Sequence, residues 1–102
     1  MARLIWTEPA LADLDAIADY ISLDKPEAAK HLVRTVYDAV QRLRRFPRSG
    51  RVPPELPDFP YREVVVSPCR VFYRVGRQTV VILHVARGEQ EIRKDTIRGR
   101  DR

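Results

Sequence analysis

The stretch from Tyr61 to Arg87 constrains the fold of this 102-residue chain more than any other segment. It holds three runs rich in Val, Ile, Phe and Tyr, separated by Ser67-Pro68 and by Gly76-Arg77-Gln78. Apolar, β-branched runs bounded by turn residues are typical of strands. Proline supplies no N–H to a ladder and glycine tolerates positive φ, so both belong at strand ends. The segment therefore predicts a three-stranded antiparallel meander, which the rest of the chain must cover.

The two faces of this meander can be separated because successive side chains on a strand point to opposite sides. On the middle strand, Arg70, Phe72 and Arg74 share one face. The opposite face is apolar and is predicted to be core: Cys69, Val71, Tyr73 and Val75. On the last strand both faces are largely apolar: Val81, Leu83 and Val85 against Val80, Ile82, His84 and Ala86. We therefore expect an exposed apolar patch around Phe72, of the kind that marks a binding site.

Two helices are predicted before the meander. The short apolar run ARLIW is an expected strand, and Thr7-Glu8-Pro9 then offers a cap, an acidic residue and a proline suited to a first helical turn. A second start follows at 24–27, where Asp24 can cap and Glu27 stands at capping-box spacing. An apolar stripe recurs at three and four residues along the first helix: Leu11, Leu14, Ile17, Ala18 and Ile21. The short connection predicts an antiparallel helical hairpin.

The resulting fold class is α+β: an N-terminal strand, an antiparallel helical hairpin and the three-stranded antiparallel meander. Five prolines between Pro47 and Pro60 predict an irregular loop before the meander. The length fits one domain, which we place at 1–97. The tail beyond Ile97 has no further large apolar residue, so 98–102 are expected to be disordered.

Composition and charge limit the partners of the chain. No apolar run approaches the roughly 20 residues of a membrane span, and the N-terminus lacks the apolar core of a secretory signal, so we expect a cytoplasmic protein that does not enter membranes. Residues 1–24 carry a net charge of −4 and residues 25–102 carry +9. Arginine outnumbers lysine sixteen to three, and its planar fork suits carboxylates and phosphates. Nucleic acid and an acidic protein segment both remain possible partners, beside a plain solvated basic surface.

The chain offers little conventional catalytic chemistry. Cys69 is the only cysteine, which excludes an internal disulfide and a multi-cysteine metal site, and with only His31 and His84 no metal or other cofactor is expected. No phosphate-binding glycine loop or nucleophile elbow is present. One basic constellation remains on the meander: Arg62, Arg70, Arg74, His84 and Arg87. Such groups could stabilise a phosphorane and move a proton in RNA cleavage, or they could bind an acidic partner.

Several motifs together resemble the RelE/ParE superfamily of bacterial toxins. They are WTEPALADLDAIADYI, the helix exit RLRRFPRSGR, the strand pair YREVVVSPCRVFYRV, and VVILHVARGEQEI, and the likeness covers residues 3 to about 93. The resemblance implies a toxin of a two-gene toxin–antitoxin module that arrests growth. Its antitoxin, of ParD or RelB type, would neutralise it through an acidic C-terminal segment, and operator DNA would be bound only through the antitoxin.

The superfamily contains ribosome-dependent mRNA cleavers of RelE type and DNA gyrase poisons of ParE type, and the residues favour the second. Arg70 matches the strand arginine that RelE-type cleavers direct at phosphate. However, Glu89 and Glu91 stand where such cleavers place a further arginine, and their acid–base group near the end is missing. The resemblance thus implies a ParE-like gyrase inhibitor rather than an enzyme. Two alternatives remain: an mRNA endonuclease using Arg70, Arg74 and His84, and a non-toxic antitoxin-binding module.

The predicted antitoxin surface lies across the helical hairpin and the open face of the meander. Its residues combine apolar side chains with two arginines: Leu11, Leu14, Phe72, Arg70, Arg74 and Ile82.

Overall fold

A computed structural model describes residues 1–101 of the chain. The described elements, in chain order, are β1 (Arg3–Trp6), α1 (Glu8–Ser22), α2 (Pro26–Gln41), a short 3-10 turn (Arg42–Arg44), β2 (Tyr61–Val66), β3 (Cys69–Gly76), β4 (Thr79–Arg87) and α3 (Lys94–Arg100). This confirms the predicted α+β class, with an N-terminal strand, two helices and an antiparallel meander. The five-proline segment before β2 is irregular, as its composition predicts.

The four strands form one sheet in the order β1-β4-β3-β2. The strands of the meander pair antiparallel, whereas β1 runs parallel to β4, with Arg3 opposite Thr79 and Trp6 opposite Ile82. At the junction from β1 to α1, the Thr7 hydroxyl donates to Ile82 O at 2.8 Å and accepts from Ala10 N at 3.3 Å. Thr7 therefore caps α1 and fixes the helix to the sheet.

The helical hairpin covers one face of the sheet and forms the larger core. Cys69, Val71 and Tyr73 of β3 face the helices, as alternation predicts. The apolar stripe of α1 contributes Leu14 and Ile17, which are buried beneath the sheet, while Leu11 is partly exposed. The cap predicted at Asp24 is wrong, because α2 begins after Lys25 without a side-chain cap.

The second face of the sheet is also covered, which the sequence did not predict. The proline-rich segment and α3 close over it and form a second core: Leu56, Tyr61, Phe72, Leu83, Ala86 and Ile97. Ile97 and Phe72 have no exposed surface. The expectation of a disordered tail is wrong for 98–101, because α3 continues to Arg100 and Asp101 is ion-paired with Arg74. The same expectation for residue 102 lies outside the described residues.

A β-bulge explains why simple alternation fails on β4. Phe72 pairs with His84, and the next residue of β3, Tyr73, pairs with Ile82, so Leu83 is the extra residue. Because a bulge adds one residue to the strand, the residues beyond it point to the opposite side of the sheet from the side that simple alternation predicts. Val85 therefore joins the core under the helices and not the set containing Leu83.

The β3–β4 turn also differs in detail from its prediction. Gly76 does close β3, but the positive φ of 62° belongs to Gln78 and not to a glycine.

Candidate functional site

The basic constellation of the meander is present, but each of its members has a partner within the chain. Arg62 donates to the backbone oxygens of Gly50 at 2.8 Å and Arg48 at 3.2 Å, which ties the proline-rich loop to β2. Arg87 pairs with Glu89 at 2.8 Å and lies over the Tyr20 ring. These two arginines therefore act within the fold, and the other three members are held by carboxylates.

Arg70 lies between two carboxylates. Its Nε donates to Glu63 at 2.5 Å, and its terminal nitrogens bind both oxygens of Glu55 at 2.7 Å. The Glu63 side chain has no exposed surface and also accepts from Arg51 at 2.8 Å. A fully buried carboxylate requires such pairing, because removing an unpaired charge from water is costly. Only 12% of the Arg70 side chain is exposed, so little of this guanidinium faces solvent.

These hydrogen bonds shift the pKa values of Glu55 and Arg70. Hydrogen bonds from Arg70 lower the pKa of Glu55 from an ordinary 4.5 to about 2, although partial burial acts in the opposite direction. The same hydrogen bonds with Glu55, and next those with Glu63, raise the pKa of Arg70. Both groups are therefore charged over the whole physiological range.

His84 and Arg74 are engaged on the face covered by the tail. The Nδ1 atom of His84 lies 2.7 Å from Arg100 Nη1 and 3.0 Å from Asp13 Oδ2. Arg100 also donates to Asp13 at 2.5 Å, and Arg74 Nε donates to both oxygens of Asp101, at 2.7 and 2.9 Å. Both residues therefore help to hold the C-terminal segment on the sheet.

The Asp13–Arg100 pair forms hydrogen bonds with the backbone of β4 at the bulge. Asp13 Oδ2 accepts from the N–H of Val85 at 3.0 Å, and Arg100 donates to Leu83 O at 3.1 Å. Burial by itself raises the pKa of Asp13, but the hydrogen bonds from His84 and Arg100 outweigh it, so this pKa is lowered. Helix α1, strand β4 and helix α3 meet at this one carboxylate.

The structure corrects the predicted antitoxin surface. Phe72 is covered by the chain's own tail, and Ile82 and Leu14 face the core under the helices, so all three are buried. Arg70 and Arg74 share the face of Phe72, as predicted, but are bound to carboxylates. Leu11 is the one apolar residue of the predicted set that is partly exposed. The exposed apolar patch expected on the sheet is absent from residues 1–101.

The residues that sequence reasoning missed are the carboxylates that neutralise these cations: Asp13, Glu55, Glu63 and Asp101. Glu63 carried a usable signal, because alternation places this charged residue of the β-branched run YREVVV on the same face as Tyr61. The other three come from a helix, a loop and the tail, and only the folded chain brings them to the sheet.

An open groove remains on the outer face of the helical hairpin. It has a volume of about 580 Å³. Small and apolar residues of both helices form its floor: Ala18, Ala29, Val33 and Tyr37. Charges of both signs line its sides: Asp19, Lys30, Arg34 and Asp38. No cluster of three or more potential metal ligands exists within residues 1–101, and no helix there is long and apolar enough to span a bilayer.

Comparison with known proteins places this fold in a family. A sequence model described as ParE toxin of type II toxin-antitoxin system, parDE, matches residues 4–92. The chain is 38% identical over 86 residues to Toxin RelE2 of Caulobacter vibrioides, covering 83% of this chain and 93% of the relative. It is 32% identical over 94 residues to Toxin ParE3 of the same organism, covering 90% and 92% of the two chains.

A solved structure agrees with the sequence relatives. A chain of the chromosomal ParDE TA system from P. aeruginosa superimposes with a TM-score of 0.75 at 31% identity, covering 87% of this chain and 98% of that one. Residues 4–92, which the family model matches, contain the whole hairpin and the meander. The chain therefore belongs to the ParE toxin family of type II toxin–antitoxin systems.

Proposed function

We propose that this protein arrests growth by inhibiting DNA gyrase, without cleaving RNA, and that a cognate antitoxin neutralises it. The observation that carries the choice of target is the pairing of Arg70, Arg74 and His84. Each contacts an internal carboxylate, through Glu55 and Glu63, Asp101, and Asp13 respectively. A phosphate-cleaving site needs positive charge and a proton-transfer group directed at the substrate. Groups already paired within the fold are poorly suited to that task.

The names of the relatives do not choose the target by themselves. One sequence relative carries the RelE name and another the ParE name. The choice of gyrase as the target therefore rests on the internal ion pairs. Phe72 is buried, so its ring offers no surface on which an RNA base could stack.

The antitoxin is proposed to bind the groove on the outer face of the hairpin. An amphipathic helix can place its apolar side on Ala18, Ala29 and Val33. Its flanking charged residues can meet the mixed charges of the groove walls. The same antitoxin, through its own DNA-binding part, would bind the operator, and this chain would reach the operator only through that complex.

Supercoiling by purified gyrase tests the proposed target. Gyrase is incubated with relaxed plasmid, ATP and increasing amounts of the toxin. We expect supercoiling to fall and protein-linked DNA breaks to accumulate, and equimolar antitoxin should reverse both effects. Unchanged supercoiling without trapped breaks would reject gyrase as the target.

A parallel measurement separates the two alternative functions. Transcript ends are mapped in a translating extract with and without toxin. New codon-linked ends would indicate a ribosome-dependent endonuclease and would contradict the gyrase proposal. If neither assay responds and expression without antitoxin is harmless, the protein is an antitoxin-binding module that is not toxic.

A further inference from the structure

The helical hairpin ends in a strongly basic segment. Residues 39–54 contain five arginines and no carboxylate: Arg42, Arg44, Arg45, Arg48 and Arg51. Arg45 and Arg48 are exposed, and neither forms an ion pair within residues 1–101. They differ in this from Arg70 and Arg74 of the meander, which are held by carboxylates. Arg45 and Arg48 therefore present positive charge to solvent.

An exposed aromatic ring lies between these two arginines in the sequence. Phe46 is 59% exposed, whereas Phe59 and Phe72 pack in the second core. An open cavity of about 450 Å³ lies beside the ring and is lined by Phe46, Pro47, Arg48, Ser49 and Val75. An exposed ring next to positive charge suits single-stranded nucleic acid, because bases stack on the ring while phosphates meet the charge.

The turn that carries this ring is attached to the sheet. Ser49 N donates to Phe46 O at 3.1 Å and closes the turn. The Tyr73 hydroxyl of β3 donates to Pro47 O at 2.7 Å. Because the turn is already held in place, less conformational freedom is lost when its side chains bind a partner.

A third arginine extends the positive charge to the β3–β4 turn. Arg77 is exposed and has no ion-pair partner among the described residues. Together with Arg45 it lines a groove of about 1250 Å³ beside β1. Pro47 lines both this groove and the cavity beside Phe46, so the two are neighbours. We call the residues around Pro47 the Phe46 surface: Arg45, Phe46, Arg48 and Arg77.

We propose that the Phe46 surface binds single-stranded DNA, with one base stacked on the ring and the neighbouring phosphates bound by the arginines. Interfaces with nucleic acid are much more positively charged than those between proteins, whose centres are depleted of charge. Here one exposed ring lies among three exposed arginines, so a nucleic acid fits better than an acidic protein segment. Duplex DNA fits less well, because its bases are stacked on one another and do not reach the ring.

This binding is different from recognition of the operator, which is assigned to the antitoxin. Stacking and phosphate contacts do not read the base sequence. The choice of DNA over RNA rests on the proposed function, because gyrase acts on DNA. The choice of a single strand rests on the exposed ring of Phe46 and is independent of gyrase.

Fluorescence anisotropy of labelled oligonucleotides tests the surface without gyrase or antitoxin. The probe is an oligothymidylate of about 12 nucleotides, within the usual site sizes for single strands, and it is titrated with the full-length protein. We expect saturable binding that weakens with salt, because phosphate contacts release counterions. The same strand annealed to its complement, and polyglutamate, should each bind at least about fivefold more weakly. Charge alone would instead favour the duplex, which carries twice the phosphates.

Two single variants test stacking. Phe46→Leu keeps an apolar side chain but removes the aromatic face, and it should weaken binding of oligothymidylate at least about fivefold. The matched control is Tyr20→Leu, because Tyr20 is 62% exposed and lies outside the Phe46 surface. The control should bind the probe like the parent.

Two double variants test the arginines. Arg45→Glu with Arg48→Glu should weaken binding about tenfold or more and reduce its salt dependence. The control, Arg34→Glu with Arg93→Glu, makes the same charge change at exposed residues that line neither cavity, and it should bind almost normally. Circular dichroism verifies that all variants are folded.

Several outcomes would overturn the proposal. They are binding of the duplex or polyglutamate as tight as that of oligothymidylate, unchanged binding by Phe46→Leu, and equal loss in both double variants. Tighter binding of an oligouridylate of the same length would overturn the assignment to DNA. A negative gyrase assay would leave these results unaffected, and a failure to bind oligonucleotides would leave gyrase as the proposed target.

Discussion

Gly50 lies where the proline-rich loop passes closest to the sheet. Its N–H donates to the Tyr73 hydroxyl at 3.0 Å, and that hydroxyl donates to Pro47 O at 2.7 Å. Tyr73 is fully buried, so its hydroxyl needs these partners. A Cβ at position 50 would lie 2.5 Å from the hydroxyl oxygen and 2.6 Å from Glu63 O. At this position the absence of a side chain matters for packing, because φ is not positive.

The first prediction follows from this close approach. Gly50→Ala should lower the free energy of unfolding by about 1–3 kcal/mol, the usual cost of overpacking. The measurement is urea unfolding followed by circular dichroism. Gly99→Ala is the matched control, because a Cβ there meets no atom within 4 Å and alanine favours a helix over glycine by roughly 0.5–1 kcal/mol. Equal stability of the Gly50 variant and the parent would show that the loop moves away at no cost.

At the level of elements, α3 decides whether the second face of the sheet is available. The helix spans only Lys94–Arg100, too short to be stable in isolation. Its attachment includes one buried apolar side chain, Ile97, and the ion pairs of Arg100 and Asp101 at its end. Because Ile97 packs in the same core as Phe72 and Leu83, loss of this helix would expose an apolar surface next to Arg74.

The second prediction therefore concerns Ile97. Ile97→Ala should lower the free energy of unfolding by about 2–5 kcal/mol, while Ile97→Val should cost only about 0.5–1.5 kcal/mol. Urea unfolding gives the stability, and hydrogen exchange of the 94–100 amides shows whether the helix opens separately. A result in which the alanine variant keeps full stability and full amide protection would mean that the Ile97 side chain is not needed to hold α3.

The sequence predicts elements of this fold better than their contacts. The meander, the Thr7 cap and the inward face of Cys69 and Val71 follow from local pattern, because period and capping depend on neighbouring residues. The bulge at Leu83 depends on the register between strands, which no single strand reveals. The covering of Phe72 depends on one isoleucine in a polar tail, and nothing in the tail itself shows that it returns to the sheet.

At the level of the whole molecule, both faces of the sheet are covered within residues 1–101. The helical hairpin covers one side, and the proline-rich loop with α3 covers the other. A partner must therefore use the outside of the hairpin or an edge of the sheet, unless it displaces part of the chain. The charges follow the same division: Arg70 and Arg74 pair with carboxylates, whereas no ion pair within residues 1–101 involves the arginines of the groove beside β1, which are Arg3, Arg44, Arg45 and Arg77.

The carboxylates that hold these layers together predict how the protein responds to acid. Hydrogen bonds from Arg70 keep the pKa of Glu55 at about 2, against an ordinary 4.5. For Asp13, burial raises the pKa, but hydrogen bonds from His84 and Arg100 bring it below 3.8. Both shifts are downward, so the unfolded chain binds protons at a pH where the folded protein does not. The free energy of unfolding should therefore fall as the pH decreases from about 4.5 towards about 2.

Urea unfolding across this pH range tests the expectation, and Glu55→Gln separates the contributions. Glu55 is 39% exposed, so solvent screening limits its share to about 1 kcal/mol or less. The variant should be slightly less stable than the parent above about pH 4.5, and its stability should fall less steeply below that pH, because one titrating group is gone. Arg70 then keeps Glu63 as its partner, so the fold should persist. If the stability of the parent rose or stayed constant on acidification, these carboxylates would not stabilise the contact between the sheet and its covering segments.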